Sequence, residues 1–504
     1  MYLLGYDVGS SSIKATLLDA ESGRAVASAS SPKKEMEMIA VKPGWAEQHP
    51  EVWWENVKAA TAEIKSAFAF DPADVRAIGI SYQMHGLVVV DKNQQVLRPS
   101  IIWCDSRAVE TGNRAAKKIG QAKCLKSLLN LLGNFTASKL KWVRDNEPKV
   151  YKKIHKAMLP GDYIAMRMTE RIVTTPSGLS EGIMWDFRKQ GLAKPVLDYY
   201  GIAEELIAEV LPTFSIQGEM TQRAADELGL KAGTVVSYRA GDQPNNALSL
   251  NVLNPGEIAA TAGTSGVVYG VIDKPSCDVK SRVNTFVHVN YTDKAPRYGV
   301  LLCINGTGSL NRWLLHNVAD TLTYDRMNEL ASQVHAGCDG LTILPYGNGA
   351  ERTLENNDIG ARIYGLSFNT HTKAHLLRAG QESIVFALNY GIEIMHKMGV
   401  KVKTVRAGNA NMFLSPLFGR IFATVTKSVV ELYNTDGSQG AARGAGIGAK
   451  IYKDYKDAFV GLDRRSIIEP DKKLTSVYAD LYEKWRDILK EALAVAGNAR
   501  GSKK

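Results

Sequence analysis

The feature that most constrains this chain is a device it uses twice. An alternating apolar strand, a turn of glycine and small hydroxyl residues, and a second apolar strand open the sequence over residues 2–18, with Gly9-Ser10-Ser11-Ser12 at the turn. The same order returns over residues 257–272, where Gly263-Thr264-Ser265-Gly266 joins two apolar runs. Period-two alternation on both sides of a small-residue turn reads as a β-hairpin. Each hairpin heads about half of the 504 residues, so the sequence predicts two related α/β units, 1–246 and 247–504, dividing near residues 245–255. A single small module is excluded by length alone.

Between the hairpins, strand and helix signals alternate. Trp53, Val57, Ala60, Ile64 and Phe68 mark one face of a helix that starts at Pro50 and ends before Asp71-Pro72. Strands are expected at residues 77–81 and 234–238, a long helix at 373–398 stopped by Gly399, and a closing helix at 475–496. The apolar face of that last helix is Val477, Leu481, Trp485, Leu489 and Leu493.

Composition removes several function classes. Apolar residues make up 45% and charged residues 23%, an ordinary globular balance. No apolar run approaches the roughly 20 residues of a bilayer span, and Asp7 interrupts the apolar start, so neither a membrane protein nor an exported one is expected. Five scattered cysteines fit a reducing, cytoplasmic setting. The net charge is +10, but 62 basic residues are interleaved with 52 acidic ones, and no basic motif with interleaved aromatics suggests nucleic acid. The basic run at residues 500–504 is expected to be a solvated chain end. A modest positive field suits an anionic small substrate.

The turns carry the chemistry. Small residues let backbone N–H groups approach phosphate oxygens, and hydroxyls add donors. Lys14 offsets phosphate charge, and Asp7 is placed to hold magnesium or its water. An ordinary polar hairpin turn uses the same residues, so the recurrence in both halves is what favours phosphate. Asp242, directly after an expected strand and Gly241, would project from a strand end into the crevice between the units. A surface-turn aspartate is the plain alternative. Gly444-Ala445-Gly446-Ile447-Gly448-Ala449 fits a dinucleotide pattern, yet Gly440, Gly444 and Gly448 at four-residue spacing better suit a small-residue helix face in close contact. Ser11 to Lys14 fits the SxxK spacing without its companion motifs, and no P-loop is present.

Further strings extend the pattern: Gly44-Trp45-Ala46-Glu47-Gln48 with Trp53-Trp54, Gln83-Met84-His85-Gly86, residues 98–107 around Trp103, residues 135–143, Leu159-Pro160-Gly161-Asp162-Tyr163, Glu351-Arg352-Thr353 and residues 440–444. In this order the chain resembles the FGGY family of carbohydrate kinases, within the actin-like ATPase superfamily, and within it the xylulokinases. The resemblance implies two actin-like (ribonuclease H-like) α/β domains around a cleft, with sugar on the first-domain side and ATP with Mg2+ on the second. It makes Asp242 the general base and a metal neighbour with Asp7, and Met84, His85, Gln243 and Trp103 sugar-side residues. Gly9, Ser10, Ser11, Ser12, Lys14, Gly263, Thr264 and Ser265 become phosphate contacts. Gly308, Gly408, Asn409 and Asn411 lie around the nucleotide, the last three near adenosine.

Single residues keep their plain alternatives: His85 as a hydrogen-bonded core histidine, Trp103 as core packing, Asp105 and Arg107 as a pair with each other. Gln243, Ala350, Leu354 and Ala407-Gly408-Asn409 depart from the usual xylulokinase strings, which leaves the exact sugar open. The activity implied is ATP-dependent phosphorylation of a ketopentose, D-xylulose first. The alternatives are another ketose or polyol (ribulose, glycerol) or a catalytically silent sugar sensor, against which Asp242 argues. Homodimerisation is left open.

Overall fold

In the computed structural model, which describes residues 1–501, two large sheets organise the chain. The basic run at residues 500–504 lies outside the described residues, apart from the backbone of its first two. The first sheet contains β1 (Tyr2–Val8), β2 (Ile13–Asp19), β3 (Ala25–Ser31), β4 (Val75–Tyr82), β5 (Phe214–Glu219) and β6 (Val235–Gly241), in the order β5-β6-β4-β1-β2-β3. The second contains β7 (Ile258–Ala262), β8 (Gly266–Ile272), β9 (Asn284–Val287), β10 (Tyr298–Ile304), β11 (Thr404–Gly408), β12 (Val429–Tyr433) and β13 (Arg464–Ile468), in the order β9-β10-β8-β7-β11-β12-β13.

The two sheets share one plan. In each, antiparallel strands lie on one side of the opening strand, β2 and β3 beside β1 and β8, β10 and β9 beside β7. On the other side lie two parallel strands and then an antiparallel edge strand: β1 and β4, then β4 and β6, run parallel, as do β7 and β11, then β11 and β12, with β5 and β13 at the edges. Both hairpins form where the small-residue turns place them. These are the two actin-like α/β units that the sequence implies. Helices lie on both faces. The ones used below are α1 (Pro50–Ala67), α2 (Thr136–Asn146), α3 (Pro176–Glu181), α4 (Asp242–Ser249), α5 (Lys373–Lys397), α6 (Gly437–Gly448) and α7 (Thr475–Gly501). Among the described residues, no helix is long and apolar enough to cross a membrane.

Strand alternation divides the first sheet's core. Leu4, Tyr6 and Val8 of β1 face α1 and pack with Trp53, Val57, Ala60 and Ile64, the face read from the sequence. Leu3, Gly5 and Asp7 face the other way, toward α6, a helix from the second half of the chain. The sequence reading of Gly444 and Gly448 as a close-contact helix face is met here: a Cβ on Gly444 would strike the ring of Tyr238, and one on Gly448 the carbonyl of Ser237. The approach is matched from the sheet side, where a Cβ on Gly5 would lie 2.0 Å from the Ser438 oxygen. Hydrogen bonds fasten the contact: Ser237 Oγ donates to the Ala445 carbonyl at 2.8 Å, and Thr16 Oγ1 meets Ser438 Oγ at 2.7 Å. In the second unit α5 is buried along most of its length, and Trp485, Tyr482, Leu489 and Ala492 of α7 pack into the same core.

Because both walls at Gly5 are backbone, they cannot yield as a side chain would. Gly5→Ala should lower stability by about 1–3 kcal/mol. Gly497→Ala, where a Cβ meets open space near the end of α7, should be neutral or slightly stabilising. Urea unfolding of the two variants beside the parent checks the contrast.

Candidate active site

The parallel strands β1, β4 and β6 end side by side. Asp7 pairs in register with Ser81, and Tyr82 with Gly241. Past these ends the chain turns: Gly9 N–H donates to the Ser12 carbonyl at 3.1 Å, and Gln83 N–H donates to the Val8 carbonyl at 2.8 Å. Asp242 is the first residue of α4, directly after β6. Its carboxyl is pushed up to about 7, chiefly by burial and then by the charge of Asp7. Gln243 Nε2 donates to Asp242 Oδ2 at 3.1 Å.

Asp7 is also held above the usual carboxylate range by burial, against which Ser81 Oγ donates to its Oδ1 at 2.8 Å and Lys14 supplies opposite charge. The first residue of α6 abuts it, since a Cβ on Gly437 would lie 2.5 Å from Asp7 Oδ2. The positive end of the α6 dipole therefore faces the same spot. Two half-buried carboxylates, one N-terminal helix end and one lysine converge there, with the charge of Asp436 also acting on Asp7.

Beside this pair, His85 is held at every backbone group. Its N–H donates to Glu181 Oε2 at 2.9 Å, its ring Nδ1 lies 2.9 Å from the Glu181 carbonyl, and its own carbonyl accepts from Lys139 Nζ at 2.8 Å. It sits at a φ of 62°, in the left-handed region that a non-glycine residue occupies at a cost. Burial, followed by the Lys139 charge, pushes the His85 pKa down to about 3, so the ring is neutral. Its contact with a carbonyl places the proton on Nδ1 and leaves Nε2 as an acceptor. The ring keeps 19% of its side-chain surface exposed, framed by Phe135 at 4.8 Å and Phe286 at 5.5 Å between ring centres. His85 is therefore a clamped group whose ring stays partly open.

Lys139, on α2, is fully buried. Its second hydrogen bond goes to the Ile102 carbonyl at 2.9 Å, which ties the His85 loop to the segment carrying Trp103. Burial pushes its pKa down to about 7. Trp103 is 45% exposed and its indole N–H donates to Ser10 Oγ at 3.2 Å, so it stands over the first turn and is not core packing. Met84 is buried and packs against Gly241, directly before Asp242. Arg107 and Asp105 do pair, at 2.6 Å, and Arg107 also reaches Glu47 at 2.6 Å, which buttresses the Trp103 segment from behind.

The second unit brings its own loops together. Gly308 N–H donates to the Gly263 carbonyl at 2.9 Å and Ser309 N–H to the Thr264 carbonyl at 3.2 Å. Asn411 lies beside Gly263, and Asn409 N–H donates to the Tyr433 carbonyl at 2.8 Å just ahead of α6. Ser265 is a hydrogen-bond partner of Cys303, whose thiol feels the Asp242 charge, so the second turn and Asp242 share one neighbourhood. The site residues singled out from the sequence thus fall into two adjoining groups: Asp7, Gly9, Ser10, Ser11, Ser12, Lys14, Met84, His85, Trp103, Asp242 and Gln243 at the first sheet's strand ends, and Gly263, Thr264, Ser265, Gly308, Gly408, Asn409 and Asn411 at the second's. Glu181, Ser81, Phe286 and Gly437 were missed. Each is an isolated residue in its own segment, and only the register and the α6 crossing bring it to the cleft.

Comparison with known proteins agrees with this geometry. Residues 2–249 match the N-terminal domain, and residues 258–449 the C-terminal domain, of the FGGY family of carbohydrate kinases. The chain belongs to that family and is a carbohydrate kinase. It is 28% identical to the xylulose kinase of Bacillus subtilis, over 97% of this chain and 98% of that one. With the xylulose kinase of Haemophilus influenzae it shares 29%, over 96% and 98%. The solved structure of xylulose kinase from Rhodospirillum rubrum superimposes with a TM-score of 0.86 at 26% identity, covering 99% of this chain and 100% of that one.

The raised pKa of Asp242 has a stability consequence. A carboxyl that ionises near pH 4 when unfolded but only near 7 when folded makes the folded state hold more protons, so stability falls as pH rises between those values. Asp242→Asn, free of ligands, should therefore be more stable than the parent at pH 8 by at least about 1 kcal/mol, with the gap closing toward pH 4. Urea unfolding at several pH values checks both the sign and the convergence.

Proposed function

We propose that this chain transfers the terminal phosphoryl group of ATP to D-xylulose, forming D-xylulose 5-phosphate and ADP. The observation that carries the proposal is the position of Asp242: a half-buried carboxyl of raised pKa, between Glu181, which clamps His85, on one side and the turn at Gly263-Thr264-Ser265 on the other. The two relatives and the solved structure named xylulose kinase support the choice of sugar. Gln243 on the Asp242 carboxylate favours a second reading, another ketose or a polyol as acceptor.

In the reaction, Asp242 takes the proton from the attacking hydroxyl as the new O–P bond forms, and the bond from phosphorus to the ADP oxygen breaks. A pKa near 7 suits that task, being basic enough to accept a proton while leaving about half of the carboxyls ionised at neutral pH. His85 Nε2 accepts from a sugar hydroxyl, and its fixed tautomer orients the substrate. Met84 and Trp103 shape the walls. The turn Gly9-Ser10-Ser11-Ser12 with Lys14, and Gly263-Thr264-Ser265 with Gly308, offer N–H, hydroxyl and ammonium donors to the phosphates, while Gly408, Asn409 and Asn411 border the base.

Asp7 and Asp242, two half-buried like charges in mutual reach, are a donor set that suits Mg2+. Mg2+ is commonly bound by one or two carboxylates together with substrate phosphates. When bound, it would neutralise phosphate charge. The five free cysteines suit a reducing cytosol.

Magnesium-dependent ADP release is expected to be fastest with D-xylulose in a panel with ribulose, xylose, glycerol and no sugar. A clear win for another acceptor would move the assignment to that sugar. Asp242→Asn should lower kcat by about 10²–10⁴ with the fold retained by circular dichroism. Turnover within about threefold of the parent would remove the base assignment and restore the silent-sensor reading. His85→Ala should raise the sugar KM by about tenfold or more while the ATP KM changes less than about twofold, measured in the same assay.

A further inference from the structure

The neighbours Glu351 and Arg352 belong to the second unit, yet they touch both halves of the cleft. Glu351 is buried, and its Oε2 accepts from Asn305 N–H at 3.0 Å. Asn305 in turn accepts through its carbonyl from Ser309 Oγ and from Asn348 Nδ2, both at 2.9 Å. Ser309 and Gly308 are the residues whose N–H groups hold the carbonyls of Thr264 and Gly263. Glu351 is thus fastened to the loop system assigned to phosphate.

Its backbone is extended, with φ −110° and ψ 124°, so the next side chain leaves on the opposite side. There the Arg352 guanidinium lies 5.7 Å from the Phe135 ring centre, and its charge acts on His85. Phe135 packs edge-on against His85. The hydrogen bond of Arg352 within the chain is a long one, 3.5 Å from Nη1 to the Ser281 carbonyl. A guanidinium carries five donors in a fixed fork, more than that contact uses.

We infer that the Glu351-Arg352 pair couples the two substrates: Arg352 reaches across from the second unit to the sugar beside His85, and Glu351 passes that position to the Asn305–Ser309 loop that meets the nucleotide phosphates. The inference rests on the reading of the cleft given above. A sugar that engages Arg352 fixes the backbone that also positions Glu351, so the arrangement of the phosphate loop favoured by ATP is populated more when sugar is bound. Coupling of this kind is reciprocal: each ligand must tighten the other by the same factor.

The test is calorimetric. The Kd of a non-hydrolysable ATP analogue with Mg2+ is measured on the full chain without sugar and at saturating D-xylulose, and the Kd of D-xylulose with and without the analogue. In the parent, each ligand is expected to tighten the other by roughly fivefold or more. Arg352→Met and Glu351→Ala should each bring the factor below about twofold. Glu351→Gln, which keeps an acceptor for Asn305 N–H, should restore it, and Arg352→Lys serves if the methionine variant does not fold. Parent-like coupling in the Arg352 and Glu351→Ala variants, or none in the parent, overturns the inference. Failure of the parent to bind D-xylulose overturns the sugar assignment as well. Binding without turnover is the readout, so a defect in the chemical step does not mimic either result.

Discussion

The cleft depends on the parallel alignment of β4 between β1 and β6. Parallel strands put their carboxyl ends on one edge, and the register Asp7–Ser81 and Tyr82–Gly241 lines up three chain segments just where they leave the sheet. A slip of one residue in any of them would turn Asp7 or Ser81 to the opposite face, toward α1. That is strongly resisted, because Leu4, Tyr6 and Val8 would then leave a dry core. The hydrophobic pattern of β1 therefore fixes the position of a carboxylate that contributes nothing to the core.

The charges show which groups the fold stabilises and which it only tolerates. Asp7 and Asp242 lie half-buried near one another and both are held above the ordinary carboxylate range, a cost that Ser81, Lys14 and Gln243 only partly offset. His85, bonded to the Glu181 carboxylate on which the Asp242 charge also acts, is driven the other way and kept neutral. One small volume thus contains an anion that binds protons too readily and an imidazole that hardly binds them. Their opposite displacements let the two side chains act differently on one sugar.

Much of this was legible in the sequence, and the limits have physical causes. Both hairpins, the strand ahead of Asp242 and the ends of α1 and α5 follow from local signals: alternation, small-residue turns, and Pro or Gly at helix boundaries. The glycine spacing in α6 announced a close contact but not its partner, since a small-residue face fits any flat backbone. That the partner is the first unit's sheet could be learned only from the fold. Glu181 carries no local mark either, and Lys139, though inside the 135–143 string, has nothing in the sequence that sets it apart. A buried lysine reads from sequence like any surface lysine, and its role depends on the His85 and Ile102 carbonyls, distant in the chain. Arg352 stood in a string matched to the family, but its nearness to His85 joins two halves that the sequence divides.

The crossing of α6 also sets an order of events on the ribosome. The first sheet is complete once β6 has emerged, yet the face lined by Leu3, Gly5, Leu18 and Ala77 stays bare until α6 is made, about 200 residues later. At roughly 5–20 residues per second that is ~10–40 s of synthesis. During this interval the nascent first half carries an uncovered apolar sheet face and an Asp7 with no helix end beside it, which makes it a natural client for chaperones that shield exposed strands. Acquisition of the cleft is therefore a late event, tied to synthesis of the second half and not to folding of the first.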